Sequence, residues 1–190
     1  MRREPVYLVL DVSGSMSGEP IEAVRNGVQV LASSLRSDPY ALETAFLSVI
    51  TFDGTARQVV PLTELAIFQP PDLQAGSTTS LGEALKVTKE CIEREVQTST
   101  PAAKGDREPL VFIMTNGFPS DDWQKGLLEF KKAKTGLVIA CAAGPQADTN
   151  LLKQITETVV ALESAGKDTF QMIFNDSLGI EDSIRTSTGD

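Results

Sequence analysis

Unbroken apolar runs and helix-period patterns alternate along most of the chain. Residues 6–10, Val-Tyr-Leu-Val-Leu, predict a strand covered on both faces, and the run gives way at once to Asp-Val-Ser-Gly-Ser. Pro20 then opens a segment in which Ile21, Val24, Val28, Leu31 and Leu35 recur at helical spacing. This predicts an amphipathic helix to about Arg36, stopped by Asp38-Pro39. Residues 45–52 predict a second strand, and Asp53-Gly54 followed by residues 56–61 predicts a tight hairpin into a short edge strand, a position that Pro61 tolerates.

After a loop over residues 68–79, Ser80 and Glu83 have the spacing of a capping box. They precede Leu81, Ala84, Leu85, Thr88, Ile92 and Val96, a helix of about four turns. The polar stretch 97–108, with Pro101 and Gly105, reads as a flexible surface connection. Residues 110–114 form a third buried strand ending in Thr115-Asn116-Gly117. Asp121 and Asp122 favour the start of a helix that buries Trp123, Leu127 and Phe130 on one face, with Lys131, Lys132 and Lys134 as its solvated last turns. Residues 137–142 predict a strand, 150–155 a short helix, 158–162 a last strand and 170–184 a closing helix, with a frayed tail over 186–190. Strands buried on both faces and alternating with helices imply a doubly wound α/β fold: a mostly parallel sheet, one antiparallel edge strand, and a single domain over 1–185. In such sheets ligands gather beyond the C-terminal strand ends, where the polar loops of this sequence fall.

Composition narrows the chemistry. The chain has 190 residues, 26 Asp+Glu against 17 Lys+Arg and a net charge of −9, so neither nucleic acid nor a membrane is an expected partner. There is no histidine, which removes Ser-His-Asp and Cys-His nucleophile pairs and imidazole metal ligands. Cys91 and Cys141 stand far apart and outside any C-x-x-C, and read as small core residues of a reduced protein. The first apolar run ends at Asp11, too short for a secretory signal or a membrane span, so a cytoplasmic location is expected.

Three segments place small oxygen-bearing side chains after buried strands or before a helix: Asp11-Val12-Ser13-Gly14-Ser15, Ser77-Thr78-Thr79-Ser80 and Thr115-Asn116-Gly117. A carboxylate, hydroxyls and a carboxamide offer oxygen alone, which suits a hard cation, Mg²⁺ with Mn²⁺ or Ca²⁺ as alternatives. Taken singly, each segment also serves as a turn or a helix cap.

Asp11-x-Ser13-x-Ser15, the later threonine and Thr115-x-Gly117 resemble the metal-ion-dependent adhesion site of von Willebrand factor A domains. The stretch from Val6 through Met16 to Val24 is similar, more narrowly, to the start of TerY-type bacterial proteins associated with tellurium resistance and stress response, and 117–123 and 147–156 continue the likeness. The resemblance implies a protein-interaction module whose metal ligands are Asp11, Ser13, Ser15 and Thr79, with Thr78 competing for the last place. It also implies a partner that offers an acidic side chain, and an assembly with kinase or phosphatase components. The family usually has aspartate where this chain has Asn116. Asn116 is counted with the metal site all the same: an amide keeps an oxygen acceptor that can orient a metal-bound water but loses a full negative charge, so a weaker cation site is expected. Two other readings stay open: a metal-free scaffold with a degenerate site, and a phosphotransferase with Asp11 as nucleophile. The second lacks an acid at position 13 and any P-loop, so a non-enzymatic role is expected.

Overall fold

The computed structural model describes residues 2–179. Six strands, β1 (Glu4–Asp11), β2 (Ala45–Phe52), β3 (Ala56–Glu64), β4 (Leu110–Thr115), β5 (Val138–Ala142) and β6 (Val159–Ala161), form one sheet in the order β3-β2-β1-β4-β5-β6. All neighbours are parallel except β2 and β3, so the sheet is mostly parallel with one antiparallel edge strand, as the alternating pattern predicts. Among the described residues six α-helices connect and cover it: α1 (Glu19–Arg36), α2 (Pro39–Thr44), α3 (Leu81–Glu95), α4 (Trp123–Phe130), α5 (Thr149–Ile155) and α6 (Lys167–Leu178).

Strand alternation sends Val6, Leu8 and Leu10 of β1 to one face, where they pack with Val24, Val28 and Leu31 of α1 and with Phe170 and Phe174 of α6. Tyr7 and Val9 point to the other face, against Leu85 and Ile92 of α3, Leu127 of α4 and Leu152 of α5. Trp123 is buried there as a packing residue. Each fully buried Leu, Ile or Val contributes about 1.5–3 kcal/mol, and the two faces give every central strand such residues on both sides. Cys91 and Cys141 are both free and buried, and burial pushes the Cys141 thiol up to about 12.

Several local expectations change. Asp38 ends α1 but also starts α2, its carboxylate accepting from the Tyr40 amide at 2.9 Å. The edge strand β3 continues past Pro61 to Glu64. The Ser80–Glu83 capping box does not form, because the Ser80 hydroxyl donates to the Gly54 carbonyl at 3.0 Å instead. Helix α4 ends at Phe130, so Lys131 caps it and Lys132 and Lys134 lie beyond it. The stretch 97–108 is fastened to the N-terminus: Asp106 accepts from the Arg3 guanidinium and from the Gln97 amide, and Arg2 donates to the Gly105 carbonyl. Helix α6 begins three residues before Phe170 and closes on Gly179 in a left-handed conformation. The expected helical turns to Ile184 and the tail 186–190 lie outside the described residues.

Candidate functional site

The chain leaves β1 toward β2 and later returns to β4 on the opposite side of β1. The connections therefore diverge above the C-terminal ends of β1 and β4, and three loops line the resulting crevice. Asp11 closes β1 and is fully buried. Its Oδ1 accepts from the Ser13 amide at 2.9 Å and its Oδ2 from the Thr115 hydroxyl at 2.6 Å. Burial holds the Asp11 carboxyl above the usual range; hydrogen bonding from Ser13 and Thr115 opposes this, and the charge of Asp53 reinforces it.

The turn that follows is a single 3-10 turn, Gly14–Met16, which sets the buried Ser13 hydroxyl 3.1 Å from that of the exposed Ser15. Asn116 reaches across from the end of β4, its Nδ2 donating to Ser15 Oγ at 3.1 Å and to the Ser15 carbonyl at 3.2 Å. Its Oδ1 is buried and has no hydrogen-bond partner. Asp11, Ser13, Ser15 and Asn116 are thus joined by a continuous run of polar contacts.

Thr79 borders this group through its backbone. The first and second loops are stitched together by Gly14 N–H on the Ser77 carbonyl and Gly76 N–H on the Val12 carbonyl, both at 2.6 Å. A Cβ on Gly14 would lie 3.1 Å from the Gly76 carbonyl, so the close approach favours glycine. Ser120 of the third loop clasps Thr79: its amide donates to the Thr79 carbonyl at 2.8 Å, and its hydroxyl accepts from the Thr79 amide at 2.9 Å. Thr79 is buried and Thr78 exposed. Among the described residues no hydrogen bond joins the Thr79 side chain to Asp11, Ser13, Ser15 or Asn116.

Asp121 and Asp122 act at helix starts, and the two helices differ. Asp122 caps its own α4, accepting from the Lys125 amide at 3.3 Å. Asp121 folds back onto α3, its two oxygens accepting from the Gly82 and Glu83 amides at 3.1 Å each. It therefore replaces Ser80 as the cap of α3. Sequence reasoning also missed Thr115 as the second partner of Asp11, and Ser120 as the clasp on Thr79. Thr115 had a local signal, a hydroxyl residue closing an apolar strand. Ser120 and Asp121 had none, because their partners lie 41 and 39 residues away.

The donor set is one carboxylate, hydroxyls and an amide oxygen, which suits a hard cation and not a soft one. Among the described residues no group of three or more Cys, Asp or Glu side chains is placed to hold a metal, so a cation here relies on neutral oxygens. The Asn116 Oδ1 is buried and lacks a donor within the protein, and an amide acceptor of this kind fits the outer shell of such an ion.

Residues 6–178 match the family model of the von Willebrand factor type A domain. The chain belongs to this family. A von Willebrand factor A domain-containing protein of Dictyostelium discoideum is 26% identical over 189 residues, 93% of this chain and 19% of that protein. An uncharacterized protein of Synechocystis is 34% identical over 125 residues, 61% of this chain and 26% of its own length. The chain thus spans about a fifth to a quarter of the length of these relatives. The solved structure of manganese-loaded Plasmodium vivax TRAP superposes with a TM-score of 0.64 at 15% identity, over 93% of this chain and 74% of that one, a likeness of fold. Von Willebrand factor A domains are common protein-interaction modules. No described helix of this chain is long and apolar enough to cross a membrane.

Proposed function

We propose that this domain is a non-catalytic interaction module that takes an acidic side chain of a protein partner through a hard divalent cation, Mg²⁺ or Mn²⁺, above β1 and β4. The observation that carries the reading is the cluster at the sheet's switch point, in which Asp11, Ser13 and Ser15 adjoin the Asn116 amide, whose Nδ2 bonds Ser15 and whose Oδ1 is buried and unpartnered. Asp11, Ser13, Ser15 and Thr79 would hold the ion, with Asn116 acting through water. Bound there, the cation supplies an open position for a carboxylate oxygen, with much of its charge uncompensated because most of its protein ligands are neutral.

The chain's own residues prepare that position. Ser13 and Thr115 fix the Asp11 carboxylate from two sides. Gly14 brings the second loop against the first, and Ser120 holds Thr79 in place. Buried Asp11, with each oxygen already bonded, is poorly exposed as a nucleophile, which supports the interaction reading over a phosphotransferase. The motif resemblance extends the proposal to a TerY-like component of a cytoplasmic tellurium-resistance or stress-response assembly, working with kinase or phosphatase proteins.

One observation favours a second reading, a metal-free scaffold. The Asn116 amide already donates to both Ser15 oxygens, so the loop ends are tied without an ion. Affinity capture with the domain separates the two. Partners lost on chelation and with Asp11→Ala support the cation-bridged module; partners retained under both conditions support the scaffold.

A further inference from the structure

At its N-terminal end β1 begins between two charged pairs, one on each face. Arg3 points toward α3, where it donates to the Glu95 carbonyl at 3.1 Å and lies 4.9 Å from the centre of the Phe46 ring. It also holds Asp106 through two bonds, Nε to Oδ1 at 2.8 Å and Nη2 to Oδ2 at 2.6 Å. Strand alternation turns Glu4 to the other face, and there Arg107 Nε lies 2.6 Å from Glu4 Oε1. Between the pairs, the Arg107 amide donates to the Arg3 carbonyl at 3.0 Å.

The stretch that supplies Asp106 and Arg107 is closed on itself. The Asp106 amide donates to the Gln97 carbonyl and the Gln97 amide to Asp106 Oδ2, both at 2.8 Å, and the Gly105 amide donates to the Ser99 hydroxyl at 2.9 Å. Arg2 adds bonds to the Gly105 and Asp106 carbonyls at 2.9 and 3.1 Å. Residues 97–107 thus form a strap across the start of β1, fastened there mainly by charged groups.

The two pairs are not equivalent. The Asp106 side chain is 3% exposed and both of its oxygens are bonded. The Glu4 side chain is 6% exposed, yet neither its Oε1 nor Arg107 Nε has an aligned hydrogen-bond partner among the described residues, and Arg107 stays 37% exposed. A buried carboxylate so poorly matched is costly when ionised. Burial pushes the Glu4 carboxyl up to about 7, against the charge and contact of Arg107 and the charge of Arg2, and with that of Asp106. Its neighbour on β2, Ala45, is uncharged. The other ionisable residues at this end of the sheet are Arg36 of α1, Glu43 of α2, Glu64 of β3, Glu95 of α3, and Lys167 and Asp168 of α6, and none is among the principal charges on Glu4.

We propose that Glu4 and Arg107 form a proton-operated latch on this strap: the strap lies closed on β1 while Glu4 is neutral, and ionisation of Glu4 releases the Arg107 side, with Arg3 and Asp106 as the hinge. The proton passes to water, the carboxylate follows it into solvent, and the Arg107 guanidinium is set free at the end of β1 remote from Asp11. The latch is independent of any cation at the Asp11 cluster.

Hydrogen exchange of the 190-residue chain, read at single amides by NMR and corrected for intrinsic rates, tests the latch between pH 5.5 and 8. The reporter is the Arg107 amide, and the reference is the Ala140 amide, which donates to the Thr158 carbonyl in the other half of the sheet. Protection of Arg107 should fall at least about tenfold over this interval and should be at least about tenfold lower than that of Ala140 at pH 8, the mark of local opening. In Glu4→Gln it should change less than about twofold. Asp106→Asn, which weakens the hinge, should lower the protection at pH 5.5 as well. Protection of Arg107 that ignores pH, that falls equally in Glu4→Gln, or that equals that of Ala140 overturns the latch; unchanged protection in Asp106→Asn overturns the hinge. Carboxyl ¹³C NMR of the parent needs no variant to fold: titration of Glu4 in the interval where the exchange changes supports the latch, and titration near the ordinary 4.5 overturns it.

Discussion

Thr115 holds Asp11 from the side opposite Ser13, and it does so inside the sheet, where an unpaired carboxylate oxygen has no water to turn to. Replacing its hydroxyl with a methyl in Thr115→Val should cost about 1–3 kcal/mol in urea unfolding, and Thr115→Ser should recover most of it. Glu4 poses a different electrostatic problem at the other end of β1. Burial pushes its carboxyl up to about 7 even though Arg107 Nε lies 2.6 Å away. The folded protein therefore keeps this proton to a higher pH than the unfolded chain, whose ordinary value is 4.5. The resulting stabilisation is fully present below that value and is lost as pH rises through about 7. Between about pH 5 and 8 the parent should lose about 1–3 kcal/mol relative to Glu4→Gln, and a parent that gains on the variant over that interval contradicts the assignment. At this scale the sequence was legible where partners are close: Asp11, Ser13 and Ser15 sit within five residues at the end of an apolar run. The hydrogen bond of Asn116 to Ser15 spans 101 residues, and no local pattern carries it.

Helix α3 shows how an element can have the right length and the wrong cap. Its apolar positions recur at helical spacing, so the helix was readable, but Ser80 turns its hydroxyl to Gly54 and leaves the α3 amides to Asp121. Asp121→Ala should therefore destabilise by about 1–2 kcal/mol and Ser80→Ala by clearly less, the reverse of what a local capping box requires. Thermal or urea midpoints of the two variants decide it. The same region carries the close contact of α3 with α4, where a Cβ on Gly126 would overlap the Gly82 backbone. Gly126→Ala must push the helices apart, and the loss should be about 1–3 kcal/mol although alanine is the better helix former. Helix α2 was hidden for a related reason: Asp-Pro marks a stop for the preceding helix and a start for the next, and the apolar pattern of six residues is too short to tell which.

At the scale of the whole molecule, the pattern places β1, β2 and β4, apolar on both faces, inside the sheet and β3, which carries Pro61, at an edge, while the order itself comes from the structure. That order puts β1 beside β4 and so makes one crevice out of loops that are distant in sequence. Under the proposed cation reading the strength of the site turns on position 116, where the sequence already shows an amide in place of a carboxylate. An acidic chain with one buried carboxylate among hydroxyls should bind a divalent cation weakly, and one added carboxylate should matter more than any other change. The most direct measurement is calorimetric titration of Mg²⁺ and Mn²⁺ into the parent, Asn116→Asp and Asp11→Ala. Weak binding by the parent, binding at least about tenfold tighter by Asn116→Asp and none by Asp11→Ala is the predicted result. No heat and no thermal shift in either the parent or Asn116→Asp would contradict the cation-bridged account.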